Sequence, residues 1–300
     1  MITKMENTIL VAGGTGDLGN RIIKALVKRN ANVIAFVRHS SDEAKIAEME
    51  RMGVKVKKVD MSNVAELTQA CMGVSCVVSA LAGLREAIID GQSVLLDAAV
   101  AAGVPRFIPS DYSSDFTQIA EGENRNFDLR KEFHKKLDVA PIDFTSIMNG
   151  AFSDILAYNT PFYNLKDKSV GYWGDNADFH VDFTTKDDTA NFTAAVALDS
   201  TTPKVLRIAS FQISPNELVE MATEIKGTEF KLMPMGSLEG LSAYNKKARA
   251  ENPEEENELY PKWQGSQYMH SMFSAQNNPN DNNRYSDMKW TSAFEVLSHI

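Results

Sequence analysis

The stretch Ile9-Leu10-Val11-Ala12-Gly13-Gly14-Thr15-Gly16-Asp17-Leu18-Gly19 reads as a strand that runs straight into a glycine-spaced turn and then a helix. Four apolar residues precede the first glycine, and Leu18, Ile22, Ala25 and Leu26 fall on one helical face behind it. A dinucleotide diphosphate needs main-chain N–H groups aimed at it from a helix N-terminus, a tight first turn, and no β-carbon at the closest approach. Gly13, Gly16 and Gly19 meet those needs, and Gly14, Thr15, Asp17 and Leu18 supply the backbone between them.

Outward from that turn, short β-branched runs alternate with amphipathic segments to about Gly150, the signature of an α/β fold with a doubly wound parallel sheet. Strands are expected over 8–12, 32–37, 54–59, 74–80, 106–109 and 143–148. Asn63 and Glu66 have capping-box spacing, and Ser214-Pro215-Asn216-Glu217 opens a helix that closes at Gly227. Residues 1–152 therefore read as a Rossmann nucleotide-binding domain, and 153–300 as a smaller C-terminal α+β substrate lobe with segments returning to the sheet. Within the lobe, 187–198 reads as a helix and 205–209 as a strand. The glutamates between Glu251 and Glu258 read as a solvated surface, and 277–283 as a polar loop.

Composition narrows the function. The chain has 300 residues, 43% hydrophobic and 24% charged, with a net charge of -9, so it is expected to be globular and to repel nucleic acid. No apolar stretch approaches the roughly 18 residues of a membrane span, and no signal-like apolar segment precedes Ile9. The two cysteines, Cys71 and Cys76, imply no disulfide framework, which suits a cytoplasmic location. The five histidines show no metal-ligand spacing, so no metal is expected, and no Gly-x-Ser-x-Gly elbow signals a hydrolase.

The choice of dinucleotide falls at the end of the second strand, where an acidic residue holds the 2′-hydroxyl of NAD and repels a 2′-phosphate. This chain has Arg38 there, with Ser40 and His39 as further donors, so NADP(H) is expected. Asp60, after the third strand, is placed either to accept from the adenine amine or to cap its own turn.

Gly13 to Gly19, Arg38, the strand end Arg106-Phe107-Ile108-Pro109-Ser110-Asp111-Tyr112 and Asp143-Phe144-Thr145-Ser146-Ile147-Met148-Asn149-Gly150 together resemble the NmrA-like, isoflavone-reductase-like branch of atypical short-chain dehydrogenases. The resemblance runs nearly end to end. It implies NADPH along the carboxyl ends of the strands and substrate between sheet and lobe. By the same likeness Ala80, Leu81, Ala82, Ser110, Asp111, Tyr112 and Asn149, Gly150, Ala151, Phe152 flank the ribose and nicotinamide.

One position departs from that pattern. Reductases of the isoflavone type carry a lysine fifteen residues ahead of the threonine that matches Thr145, and here the position is Arg130. An arginine stays protonated; it binds a substrate oxygen but is a poor proton donor. His134, at i+4 from Arg130 and beside the Leu129, Phe133, Leu137 core stripe, is the better acid, or else a surface histidine without a role. Tyr112 is the other candidate donor. The pair Tyr285 and Lys289 has Tyr-x-x-x-Lys spacing but falls near the C-terminus, and is rejected as catalytic.

The expected activity is NADPH-dependent reduction of a small apolar carbonyl, quinone or phenolic substrate. Phe152, Tyr158, Phe162 and Tyr163 are candidates to close over that substrate, and equally candidates for lobe core. The missing lysine motivates the alternative of a regulatory protein that senses NADP(H) without turnover.

Overall fold

The computed structural model describes residues 7–300, which form two compact units. The first holds the chain up to Asp111 together with Leu129–Ile147 and Thr189–Leu206; the second holds Tyr112–Asp128, Met148–Asp188 and Arg207–Ile300. Residues 1–6, on which most of the signal-segment reading falls, lie outside the described residues.

In the first unit six parallel strands lie in the order β3-β2-β1-β4-β5-β6. They are β1 (Thr8–Ala12), β2 (Asn32–Val37), β3 (Lys55–Lys58), β4 (Cys76–Ser79), β5 (Arg106–Ile108) and β6 (Asp143–Phe144). The order reverses between β1 and β4, the switch point at which open α/β sheets bind ligands outside their strand ends. Helices α1 (Asp17–Lys28), α2 (Glu43–Arg51), α3 (Val64–Cys71), α4 (Gln92–Ala101) and α5 (Arg125–Leu137) follow the strands. One sheet face buries Leu10, Ala12, Phe36, Val77 and Phe107 against Leu67, Leu95, Leu96, Phe133 and Leu137. The apolar periodicity of those helices is thus answered by the alternation of the strands.

The strand expected over 143–148 is two strands. Thr145 still donates its N–H to the Phe107 carbonyl, but the Ser146 N–H turns to Lys204. From there β7 (Ser146–Met148) pairs with β11 (Val205–Arg207) rather than with the main sheet. An unbroken apolar run reports burial on both faces and carries no mark of where the partner changes.

Arg106 ends up buried. Its guanidinium donates to the Val196 carbonyl (3.0 Å) and to Thr202 Oγ1 (2.6 Å), which in turn meets Thr145 Oγ1 at 2.7 Å. The cation thereby caps the C-terminal end of α6 (Lys186–Leu198), where carbonyls lack intrahelical partners and the helix dipole is negative.

The second unit has a three-stranded sheet in which β10 (Val181–Thr184) lies between β8 (Ala151–Phe152), parallel to it, and β12 (Phe211–Ile213), antiparallel. A parallel pair joins β9 (Ser169–Tyr172) and β13 (Lys231–Pro234). Around them run α7 (Pro215–Lys226), α8 (Leu238–Glu251), α9 (Lys262–Met272) and α10 (Ala293–Ser298). Helix α7 opens on the Ser214–Glu217 capping box and closes at Gly227 in the left-handed conformation (φ 62°). The expected polar loop at 277–283 is a loop as far as Asp281, before a short 3-10 turn from Asn282, and it is pinned to the unit rather than left in solvent. Asn277 is buried, donating Nδ2 to the Met148 and Ile208 carbonyls (3.0 and 2.9 Å), and Asp281 exchanges hydrogen bonds with the Arg207 main chain. Within the acidic run, Glu256 is bridged by Arg249 (2.5 Å) while Glu251, Glu254 and Glu258 face solvent.

Asp182 is buried in this unit, accepting from Gln212 Nε2 (2.5 Å) and the Asn277 N–H (2.6 Å). Burial pushes its carboxyl up from 3.8 to about 6, against those hydrogen bonds and with the Asp115 carboxylate adding to the rise. Asp115, also buried, moves the other way: burial opposes its ionisation, but hydrogen bonds from Gln118, Thr117 and Arg207 outweigh it and lower the pKa.

Among the described residues no helix is long and apolar enough to cross a membrane, and no group of three or more His, Cys, Asp or Glu side chains is placed to hold a metal ion.

Two outcomes are expected. Replacing Arg106 by methionine should lower the unfolding free energy by about 2 kcal/mol in urea titrations, since it strips charge-assisted bonds from buried acceptors. Because the folded Asp182 pKa is raised, the folded state binds that proton more tightly, and its contribution to stability grows as pH falls through about 6. Asp182→Asn should therefore flatten the stability profile between about pH 7 and pH 5 by roughly 1–2 kcal/mol; an unaltered profile would remove Asp182 as its source.

Candidate functional site

At the end of β1 the chain has almost no room. Gly13 takes φ 85°, and a β-carbon there would stand 2.6 Å from the Ala80 carbonyl oxygen. A β-carbon on Gly19 would collide with the Gly13 carbonyl oxygen, and one on Gly14 would meet Ile23 at 2.9 Å. The Gly16 N–H closes the turn onto the Gly13 carbonyl at 3.0 Å. Gly16 then caps α1 without a side chain, so no side-chain oxygen covers the first amides of the helix. An anion receives there both the N–H groups and the positive end of the helix dipole. Asp17, in the first turn, is turned onto Arg21 at 2.8 Å.

Around this cradle the sequence-derived residues divide. Arg38 is exposed just beyond β2, with Ser40 exposed two residues on, and Arg38 pairs with no carboxylate among the described residues. Asp60 takes the capping alternative, accepting from Ser62 N (2.9 Å) and Oγ (2.7 Å), which hold its pKa below the usual range. Lys45 escaped the sequence reading. Its Nζ donates to the Thr15 carbonyl at 3.0 Å, bringing a second cation from α2 to the glycine turn. A hint lay in the phase of α2, where buried Ile46 and Met49 fix which side meets the sheet.

At the exits of β4 and β5, Ala80 donates its N–H to the Ala12 carbonyl (2.9 Å), and Ser110 Oγ donates to the Leu81 carbonyl (2.7 Å). Ala82 is exposed. His134 is not alone. Its Nε2 lies 2.7 Å from Oδ2 of the fully buried Asp111, and its ring stands edge-on to Phe144 at 5.7 Å. Burial by itself lowers the imidazole pKa, but the Asp111 carboxylate overrides it by charge and hydrogen bond, and the net shift is upward from 6.5. Arg130 sits one turn earlier on α5, half-buried, and its charge opposes that rise. Both cysteines are buried, and burial pushes the thiols of Cys71 and Cys76 up to about 11 and about 12.

The remaining candidates belong to the second unit. Tyr112 is buried. Asn149 is buried too, its carbonyl accepting from Thr184 Oγ1 at 2.6 Å, and a β-carbon on Gly150 (φ 65°) would come within 2.5 Å of the Asp182 backbone oxygen. Phe162 and Tyr163 fill the core, stacked on Phe183 and Phe230 respectively. Phe152 is half-buried under the Lys186 ammonium, and Tyr158 is 66% exposed.

The sequence profile of the NmrA-like family matches residues 5–265. An isoflavone reductase homolog of Zea mays is 31% identical over 245 residues, 75% of this chain and 76% of that protein. A bifunctional pinoresinol-lariciresinol reductase of Linum usitatissimum is 26% identical over 259 residues, covering 81% and 82%. The fold is shared with an isoflavone reductase (TM-score 0.78, 20% identity, 98% and 99% coverage). It is shared equally with AtPrR2 bound to NADP+ and (+)pinoresinol (TM-score 0.77, 23% identity, 98% of both chains). With the glycine cradle, the strand order and this match over most of its length, the chain belongs to the NmrA-like family.

Proposed function

We propose that the protein is an NADP(H)-dependent reductase of a small apolar carbonyl, quinone or phenolic compound. The observation that carries this reading is the cradle. Gly13 and Gly19 stand where backbone leaves no room for a β-carbon, with Gly14 close against the Ile23 side chain, around a helix start without a side-chain cap. Arg38 and Lys45 add positive charge beside it, which suits a 2′-phosphate better than a 2′-hydroxyl. The names of the relatives, isoflavone and pinoresinol reductases, support the same class. Two buried free thiols are compatible with a reducing, cytoplasmic setting.

When bound, NADPH would supply a hydride from C4 of its nicotinamide. The chain's residues do the rest. The amides of Thr15, Asp17 and Leu18 would hold the diphosphate, while those of Gly14 and Gly16 fix the turn itself on the Phe36 and Gly13 carbonyls, and Arg38 and Lys45 would hold the 2′-phosphate. Arg130, permanently charged, attracts the substrate oxygen. His134 holds the proton: the Asp111 carboxylate fixes its ring through Nε2 and keeps it protonated above the pH at which a free imidazole loses its charge. Tyr112 is the second candidate donor, and Phe152 with Tyr158 are the candidate substrate contacts.

In calorimetry, Arg38→Asp should weaken NADPH binding by about 30-fold and NADH binding by less than about threefold. Equal losses would remove Arg38 as the phosphate contact. With a panel of quinones, aldehydes and phenolic ethers, consumption of NADPH should be measurable in the wild type. Absence of turnover with all of them would reject the reductase. His134→Gln should cut kcat by about a hundredfold at unchanged NADPH affinity. The wild-type rate should fall as pH rises through the raised His134 pKa, because a donor works only while protonated. If Tyr112→Phe shows the loss and His134→Gln does not, the proton belongs to Tyr112.

A further inference from the structure

Past the exit of β4 the chain enters a π-helical turn, Glu86–Gly91, which feeds directly into α4. There the Gln92 N–H is shared between the Ala87 carbonyl, five residues back, and the Ile89 carbonyl, whereas α-helical geometry would take it to Ile88. The Gln92 side chain takes over that acceptor, its Nε2 donating to the Ile88 carbonyl at 2.8 Å. Anchored so, the amide presents Oε1 to the Ser110 N–H, which it accepts at 2.9 Å.

Gln92 is fully buried, beside a cluster that includes Leu95, Leu96 and Ala99. A leucine would suit such surroundings unless the amide had work that an apolar chain does not perform. Ser110 completes the clasp by donating Oγ to the Leu81 carbonyl at 2.7 Å. The next residue is Asp111, whose carboxylate meets His134 Nε2 at 2.7 Å.

We infer that Gln92 is a positioning residue: through the Ser110 amide it holds the Ser110–Asp111 backbone so that the Asp111 carboxylate stays against the His134 ring. The π-helical turn is part of the device, since it re-aims the start of α4 by one residue and leaves the Ile88 carbonyl for the side chain. The catalytic consequence rests on the reductase reading; the placement of the Asp111–His134 pair does not.

The test is an NMR titration of the His134 ring in the full chain, assigned with His134→Gln, for the wild type, Gln92→Met and Gln92→Glu. Methionine has similar length and no amide, so the His134 midpoint should fall by at least about half a unit. Glutamic acid, kept protonated by burial, still accepts from Ser110 and donates to Ile88, and should restore most of the wild-type midpoint. Turnover should follow: Gln92→Met should lower kcat by about tenfold while KM for NADPH moves by less than about threefold. A His134 midpoint unchanged in Gln92→Met, even with a lower melting temperature, overturns the inference. Should that variant fail to fold, Gln92→Asn, too short to span both partners, carries the same titration with the same two outcomes. A wild type that consumes no NADPH defeats the reductase reading, and the titration still decides the role of Gln92.

Discussion

The approach of α1 to the end of β1 is closer than any side chain permits. Gly19 lies against the Gly13 carbonyl, Gly13 against the Ala80 carbonyl, and Gly14 against Ile23 and Ala35. The backbones at Gly13, Gly19 and Ala80 converge because two β-carbons, those of Gly13 and Gly19, are missing. The consequence is electrostatic as well as steric, since the first amides of a 12-residue helix end up at the switch point of the sheet without a capping side chain. Burial of Ile9, Leu10 and Val11 in the central strand makes that arrangement rigid, because moving the turn would move the core.

A second layer of order lies at the exits of β4 and β5. Polar groups there are joined by hydrogen bonds to partners far away in sequence: Ser110 to Leu81 and Gln92, Asp111 to His134. Buried hydrogen bonds of this kind add little net stability each, yet a missing partner is costly, so the network specifies one geometry more than it strengthens the fold. The Asp111–His134 pair shows the functional use. A histidine at this depth would ordinarily lose its proton more readily, and the neighbouring carboxylate reverses the sign.

The second unit handles buried charge differently. Asp115 is neutralised by Arg207 at 2.7 Å, whereas Asp182 has only neutral donors and keeps its proton to about pH 6. The same aspartate backbone leaves no space for a side chain at Gly150. That glycine thus has a packing reason independent of any ligand.

What was legible in the sequence is what depends on short spacing. The glycine turn, the capping box of Ser214 and Glu217, the 8–12 and 32–37 strands and the Phe133 and Leu137 part of the α5 stripe, with Leu129 only half-buried, each arise from residues within a few positions of one another, where helix and strand periods govern. Tertiary structure alone decided the pairings across distance. His134 finds Asp111 across 23 residues, Ser110 finds Gln92 across 18, and Lys45 reaches Thr15 across 30. It also decided that Phe162 and Tyr163 are core, that the 143–148 run changes partners at Ser146, and that Asn277 is a buried strut. The physical reason is common to all of them: periodicity shows which side of an element is buried, but a hydrogen bond or ring contact between distant segments leaves no spacing along the chain. Only the folded backbone brings its two halves together.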